Sequence, residues 1–403
     1  MRISTQSFYA RSMNDIGSQQ QQLFRIQQQL AAESKFLTPA DDPVAAARAL
    51  GVSDTLAQSS QYAASRGRAT LSLSREEDAL KSATEILQNV KTMVVQAGNG
   101  TLSDADRASL ATAMQSNLDQ LVNVANADDG NGQFLFAGYK SANPPFVAQA
   151  GGGVQYMGDQ GQRLVQVDVA RQMSAADDGR SVFQSVQGSA GYVASASAAN
   201  TGSGVFGGIG VTDASSPLYG KDFNISFAGG NYTVTTSDTP PVVAATGPYT
   251  PGTPIAFGGV QLSMSGTPAD GDSFRVATAK NAGTDVFAAI GDVISALRQP
   301  LAAGGAAAQA KLQNALSTAN VKITNAHDNV LTIRSSVGSR MNEIDALDDA
   351  GASRDLIDKS YLSDLQDLDP AAAISEFLQR QTSLQATQQT FARLHGISLF
   401  NYL

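Results

Sequence analysis

The chain has 403 residues, enough for two or more domains with sizeable cores. A formal net charge of −9, with no basic patch, argues against a nucleic-acid partner. The lack of cysteine excludes disulfides, thiolate metal sites and cysteine nucleophiles, and no run of 18 apolar residues marks a membrane span.

The first twenty residues, MRISTQSFYARSMNDIGSQQ, are polar throughout and contain no hydrophobic stretch of the Sec-signal kind. Export, if it occurs, is expected to need no cleaved signal. The segment then shows a seven-residue apolar row, Ile16, Leu23, Leu30 and Leu37. Met13, Gln20, Gln27 and Ser34, three positions earlier, form a mostly polar companion row. A seven-residue repeat marks the seam of a paired helix, but a seam half made of glutamine buries too little apolar surface to hold tightly alone.

Asp42-Pro43 reads as an N-cap followed by proline at the first helical position, where the missing N–H costs nothing. The helix it starts carries Leu73, Leu80, Leu87 and Val94 and should end at Gly98-Asn99-Gly100. Ser103, with Asp106 three residues on, should open another. Residues 132–283 hold 25 of the 37 glycines and 9 of the 13 prolines, so this stretch is unlike its helical flanks. Arg163–Val169, Phe223–Phe227, Tyr232–Thr236 and Phe274–Val276 read as strands. Turns at Gly158-Asp159, Gly229-Gly230-Asn231 and Asp270-Gly271-Asp272 separate them, the pattern of antiparallel β structure.

Helical spacing returns with Leu316, Ile323, Val330, Val337 and Ile344, and with Leu312, Ala319, Ala326 and Ile333 four residues before them. A helix over 306–348 would span roughly 60 Å, a rod rather than a compact bundle. Asp369-Pro370 repeats the capping signature. The C-terminal apolar row is Phe377, Leu384 and Phe391, with Ile374, Gln381, Gln388 and His395 as companions. Three layers follow: terminal assembly helices (1–40 and 365–403), a helical rod (41–131 and 284–364) and an inserted β domain (132–283). Within the last, 184–283 reads as an additional β portion.

Candidate chemistry is sparse. Gly202-Ser-Gly-Val-Phe-Gly207 matches G-x-G-x-x-G, but polar residues precede it where a dinucleotide site needs a hydrophobic strand. A loop is the favoured reading. The pairs Asp41-Asp42, Asp128-Asp129, Asp177-Asp178 and Asp348-Asp349 are expected at helix ends or turns, capping backbone donors. His327 and His395 both fall in helical repeats, where structural contact is the better reading than catalysis. No G-x-S-x-G or H-E-x-x-H motif occurs, so an enzyme, cofactor or metal centre is not supported.

Helical ends around a β insertion resemble flagellin and the hook-associated proteins. Several blocks are similar to the flagellar hook-associated protein 3 family, the hook–filament junction proteins. They include Met1-Arg-Ile-Ser-Thr5, Asp41–Ala46, Gly132-Gln-Phe-Leu-Phe-Ala-Gly138 with Pro144-Pro-Phe146, and Tyr156-Met-Gly-Asp-Gln-Gly-Gln-Arg163 with Val182-Phe183. Ser336-Val-Gly-Ser-Arg340 resembles a segment shared with flagellin, and Tyr361–Pro370, Ser383–Phe391 and Ser398–Leu403 are the most specific matches. Gly266–Val276 is similar to a β motif of hook-associated proteins.

The resemblance implies an α+β fold, an elongated flagellin-like helical rod from both chain ends with an inserted antiparallel β domain. It implies a structural protein, needed for filament assembly and motility, in a ring of identical subunits between hook-associated protein 1 and flagellin. It also implies unfolded export through the flagellar type III apparatus with a chaperone, and an extracellular site at the hook–filament junction without membrane insertion. The assembly interface is expected at Ile16, Leu23, Leu30, Leu37, Ile374, Phe377, Leu384 and Phe391. Flagellin or the first hook-associated protein is the alternative, and a secreted coiled-coil adhesin or effector a more remote one.

Overall fold

A computed structural model describes residues 5–149, 153–301 and 304–396. Met1–Ser4 and residues 397–403 lie outside it, and with them the N-terminal block and the Ser398–Leu403 match. His395 lies within a helix, but its side chain is outside the description.

Helix starts follow local chemistry. α1 (Thr5–Ala32) precedes α2 (Pro43–Ala97), whose first free N–H groups, on Val44 and Ala45, donate to Asp42 Oδ1 at 3.1 and 2.9 Å. In α3 (Asp104–Ala125) Ser103 and Asp106 exchange side-chain and backbone bonds in a capping box. α6 (Gly305–Gln366) is a single 62-residue helix, and α7 (Pro370–Gly396) starts with Ala371 and Ala372 donating to Asp369 Oδ1. Because α6 continues to Gln366, Asp348 and Asp349 lie inside a helix and cap nothing, contrary to expectation. Asp128 and Asp129 act as turn acceptors for the N–H groups of Gly130, Asn131 and Gln133, and Asp178 caps α4 (Gly179–Phe183), but the Asp177 carboxylate pairs with Arg340 instead.

Backbone contacts divide the chain into two compact units: residues up to Ala64 with those from Ala346, and Ser65–Asp345. In the second unit the heptad rows are closed. Leu73, Leu80, Leu87 and Val94 of α2 are buried, as is a row three residues later, Ala69, Glu76, Ala83, Val90 and Ala97. In α6, Leu316, Ile323, Val330, Val337 and Ile344 are buried beside Leu312, Ala319 and Ala326. Arg334 clamps Glu77 with Nε and Nη2 on Oε1 at 3.0 and 2.5 Å, tying α6 to α2. His327 sits between Gln88 and Asp328, each at 3.4 Å, a structural position.

The insertion has two parts. The first contains a 3-10 turn (Leu135–Ala137), the hairpin β1 (Phe146–Ala148) with β2 (Val154–Tyr156), the hairpin β3 (Leu164–Asp168) with β4 (Arg171–Ser174), and α4. Phe136, Phe146, Tyr156 and Phe183 pack with Phe287 of α5 (Val286–Leu297), with ring centroids 5.0–5.7 Å apart. The Tyr156–Arg163 block is a clasp on this core. Tyr156 Oη donates to the carbonyls of Phe136 and Asp159, while the Asp159 carboxylate accepts the N–H groups of Tyr139 and Gly161. Gly138 adopts φ 66°, and a Cβ there would stand 2.5 Å from the Asp159 carbonyl oxygen, so the clasp closes only over glycine.

The second part is an all-antiparallel module of eight strands. β5 (Tyr192–Ala196), β12 (Ser273–Thr278), β7 (Phe223–Ala228), β8 (Asn231–Thr236) and β9 (Val243–Pro248) form one sheet in that order. β10 (Ile255–Phe257), β11 (Val260–Ser265) and β6 (Val205–Val211) form the other. Alternation on β7 and β11 sends Phe223, Ile225, Phe227, Val260, Leu262 and Met264 into one shared core. The Gly202–Gly207 stretch turns directly into β6, and Asp272 accepts the Gly202 N–H, so the motif is a strand entrance and not a phosphate cradle.

One side of α6 holds the insertion through main-chain groups. Asn314 accepts from the Phe206 N–H at 3.0 Å and donates to the Gly204 carbonyl at 2.9 Å; Thr318 donates to Ala194. Asn329 donates to Ser181 and Val182, and Arg340 to Ser174. Thr318, Asn329 and Arg340 are separated by about three helical turns each, which places them on one line.

Candidate functional site

The terminal helices α1 and α7 pack antiparallel. Tyr9 meets Phe391 edge to face at a centroid distance of 5.9 Å, and Arg380 donates to Gln22 near the middle. At the far end Ser34 bridges Asp367, the Lys35 N–H donates to Gln366, and the Leu368 N–H to Glu33. Glu33 takes φ 52°, which ends α1 and lets the chain enter this short two-strand latch. Beyond the latch, Asp41 accepts the N–H groups of Leu37 and Thr38 and an Arg25 contact at 2.7 Å. Those two N–H groups, aided by Arg25, hold its carboxyl below the usual range.

The seam consists of Tyr9, Ile16, Leu23 and Leu30 with Ser12, Gln19 and Ile26 on α1. Opposite are Phe377, Leu384 and Phe391 with Ala373, Arg380 and Thr387 on α7. The expected companion rows are therefore displaced by one position. Met13, Gln20 and Gln27, and likewise Ile374, Gln381 and Gln388, point to solvent, because the second row lies three residues after the first and not three before. Leu37 is not on the helix at all; it sits in the loop past Ala32. Ile16, Leu23, Leu30, Phe377, Leu384 and Phe391 are brought together, while Leu37 and Ile374 stand apart from them.

Burial along this seam is thin. Ile26, Ala373 and Leu384 are buried, most other seam residues are only half covered, and Gln19 Oε1 is buried with no hydrogen-bond partner. On the outside, Met13, Phe24, Ile374 and Leu378 are 59, 60, 49 and 54% exposed. Covering such a side chain is worth roughly 1.5–3 kcal/mol. The pair thus leaves apolar surface on its outside for a neighbour to cover.

A second cluster, in the other unit, was not anticipated. Glu76 is fully buried, accepts the Asp177 N–H at 3.1 Å, and leaves Oε2 without a partner. Burial, then the Asp177 carboxylate, push it up to about 8, with Arg340 opposing. Arg340 is ion-paired with Asp177. Raised in this way, the Glu76 carboxyl holds its proton above the ordinary carboxylate range. The Ser336–Arg340 block earns its place here: its arginine joins α6 to the end of the first β portion.

Comparison with known proteins matches the bacterial flagellin N-terminal helical region to residues 3–141 and the flagellin C-terminal helical region to residues 321–403. Between them, residues 195–278 match the D2-like domain of flagellar hook-associated protein 1. Flagellin-type ends thus bracket a hook-associated β module. Flagellar hook-associated protein 3 of Escherichia coli strain K12 is 31% identical over 400 residues, 99% of each chain. That of Salmonella typhimurium is 32% identical over the same length and share. The crystal structure of FlgL from Xanthomonas campestris superposes with a TM-score of 0.68 at 30% identity, covering 77% of this chain and 99% of that one. The flagellar junction protein FlgL from Legionella pneumophila gives 0.67 at 26% identity, covering 79% and 100%. The chain belongs to the flagellar hook-associated protein 3 family.

Proposed function

We propose that this chain is a structural subunit of the bacterial flagellum that forms a ring joining hook-associated protein 1 to the flagellin filament. The observation that carries this reading is the under-buried terminal pair, set in a chain similar end to end to hook-associated protein 3. The seam holds α1 and α7 in register, and its outward apolar residues are completed by identical neighbours and by the two flanking lattices. Assembly is then coupled to burial: affinity for neighbours stabilises helices that the free subunit holds weakly. The subunit performs no chemistry. It reaches its extracellular position at the junction through the flagellar type III apparatus, delivered by an export chaperone.

Electron microscopy of a deletion strain tests the reading. Hooks without filaments, restored by the gene in trans, are expected. Normal filaments on the deletion strain would overturn it.

A further inference from the structure

The stretch of α6 within the first unit is amphipathic in an inverted sense. Its inward line contains Asp355 and Asp358 between Gly351 and Leu362, and Asp355 Oδ1 is buried without a hydrogen-bond partner. On the opposite side Leu356 and Ile357 are 73 and 67% exposed. At about 100° per residue, Asp349 and Asp364 fall on the same outward side, two turns before and after this pair. The result is an apolar patch bracketed by exposed carboxylates.

The second unit carries a patch of opposite sign. On α2, Arg68, Leu71 and Arg75 follow i, i+3, i+7 spacing and share one face, which the exposed Asp78 ends one turn beyond. Leu71 is 64% exposed, and both arginines flanking it are exposed. One chain thus displays an acid-bracketed apolar patch and a base-bracketed apolar patch, in different units.

We propose that the Asp349–Asp364 face of α6 docks on the Arg68–Leu71–Arg75 face of α2 in a second copy of this chain. The inference rests on the ring reading above and names the contact between its members. The occupant is another copy because both halves of the complementary pair are on this sequence. A two-fold pairing of like faces would set carboxylates against carboxylates; joining unlike faces gives a head-to-tail contact, the kind that closes into a ring.

The absence of cysteine makes the test direct. Two tagged versions, one with Leu71→Cys and one with Leu356→Cys, are produced together, and isolated hooks are oxidised with copper–phenanthroline. A mixed dimer carrying both tags is expected, with none when Leu356→Cys is paired with Val243→Cys on β9. A chain carrying both Leu71→Cys and Leu356→Cys should yield a ladder of oligomers. If the tagged subunits are on the hooks but no mixed dimer forms, the ring is held by other faces and this contact is wrong. If the unaltered chain is itself absent from the hooks, the ring reading falls and takes the contact with it.

Discussion

The heptad rows of α2 and α6 within Ser65–Asp345 and those of α1 and α7 share a period but not an outcome. In the long helices both rows are buried, the second filled mostly by alanine with valine, leucine and, in α2, Glu76. In the terminal pair the second row is Ser12, Gln19 and Ile26 against Ala373, Arg380 and Thr387, and only isolated positions are fully covered. Period alone marks a helix that has a partner. The chemistry of the second row decides whether that partner suffices.

The largest effect should come from cutting a closed row. Ile323→Ala in α6 removes a fully buried side chain and is expected to cost about 2–5 kcal/mol in denaturant unfolding. A loss below about 1 kcal/mol would erase the contrast between the regions. Next comes the one ionisable member of the closed α2 row. The folded-state value of Glu76 is raised to about 8 from 4.5, so its stabilising proton is fully bound below the unfolded value and lost as pH rises through the folded one. Between those limits this group lowers stability with rising pH by up to about 1.4 kcal/mol per pH unit. Glu76→Gln should remove that slope relative to the parent; an unchanged difference between pH 5 and pH 8 would mean Glu76 is ionised.

Leu384→Asp in the open seam should leave the main unfolding transition of Ser65–Asp345 nearly unmoved, yet cells should shed flagellin into the medium. Retained filaments would show that the seam is dispensable. The smallest effect is kinetic. Limited proteolysis of the monomer should cut within 5–40 and 366–396 before 306–345, and equal resistance would mean that the terminal pair is as closed as the core.

Much of this was legible before the structure. The rows of the long helices, both Asp-Pro starts and the Ser103 capping box depend on local chemistry and were read correctly. The second row of α6 lies four residues before its first, and the same offset applied at the ends yields Ser12, Gln19, Ile26 and Ala373, Arg380, Thr387. Residues on either side of an apolar row look alike by period, and glutamine-rich faces gave no contrast to choose between them. The Gly202–Gly207 stretch reads as loop because Gly207, Gly208 and Gly210 dilute the alternation of β6, although β11 pairs with that strand at Val205, Phe206 and Ile209. Leu37 continues the count perfectly, but helix termination at Glu33 is imposed by the latch with 366–368, a contact far away in sequence.

The five-ring cluster around Phe146 bears on timing. Four of its rings precede the eight-strand module in the chain, and Phe287 follows it. In a chain emerging N-terminus first, the early part of the insertion waits, its aromatic core open, until everything through α5 is out. The eight-strand module pairs only among its own strands, so it can close once β12, which pairs with β5 at its start, is out. It can become a finished object while the residues on either side of it are still unsettled, so the middle of this subunit takes shape before its ends have anything to hold.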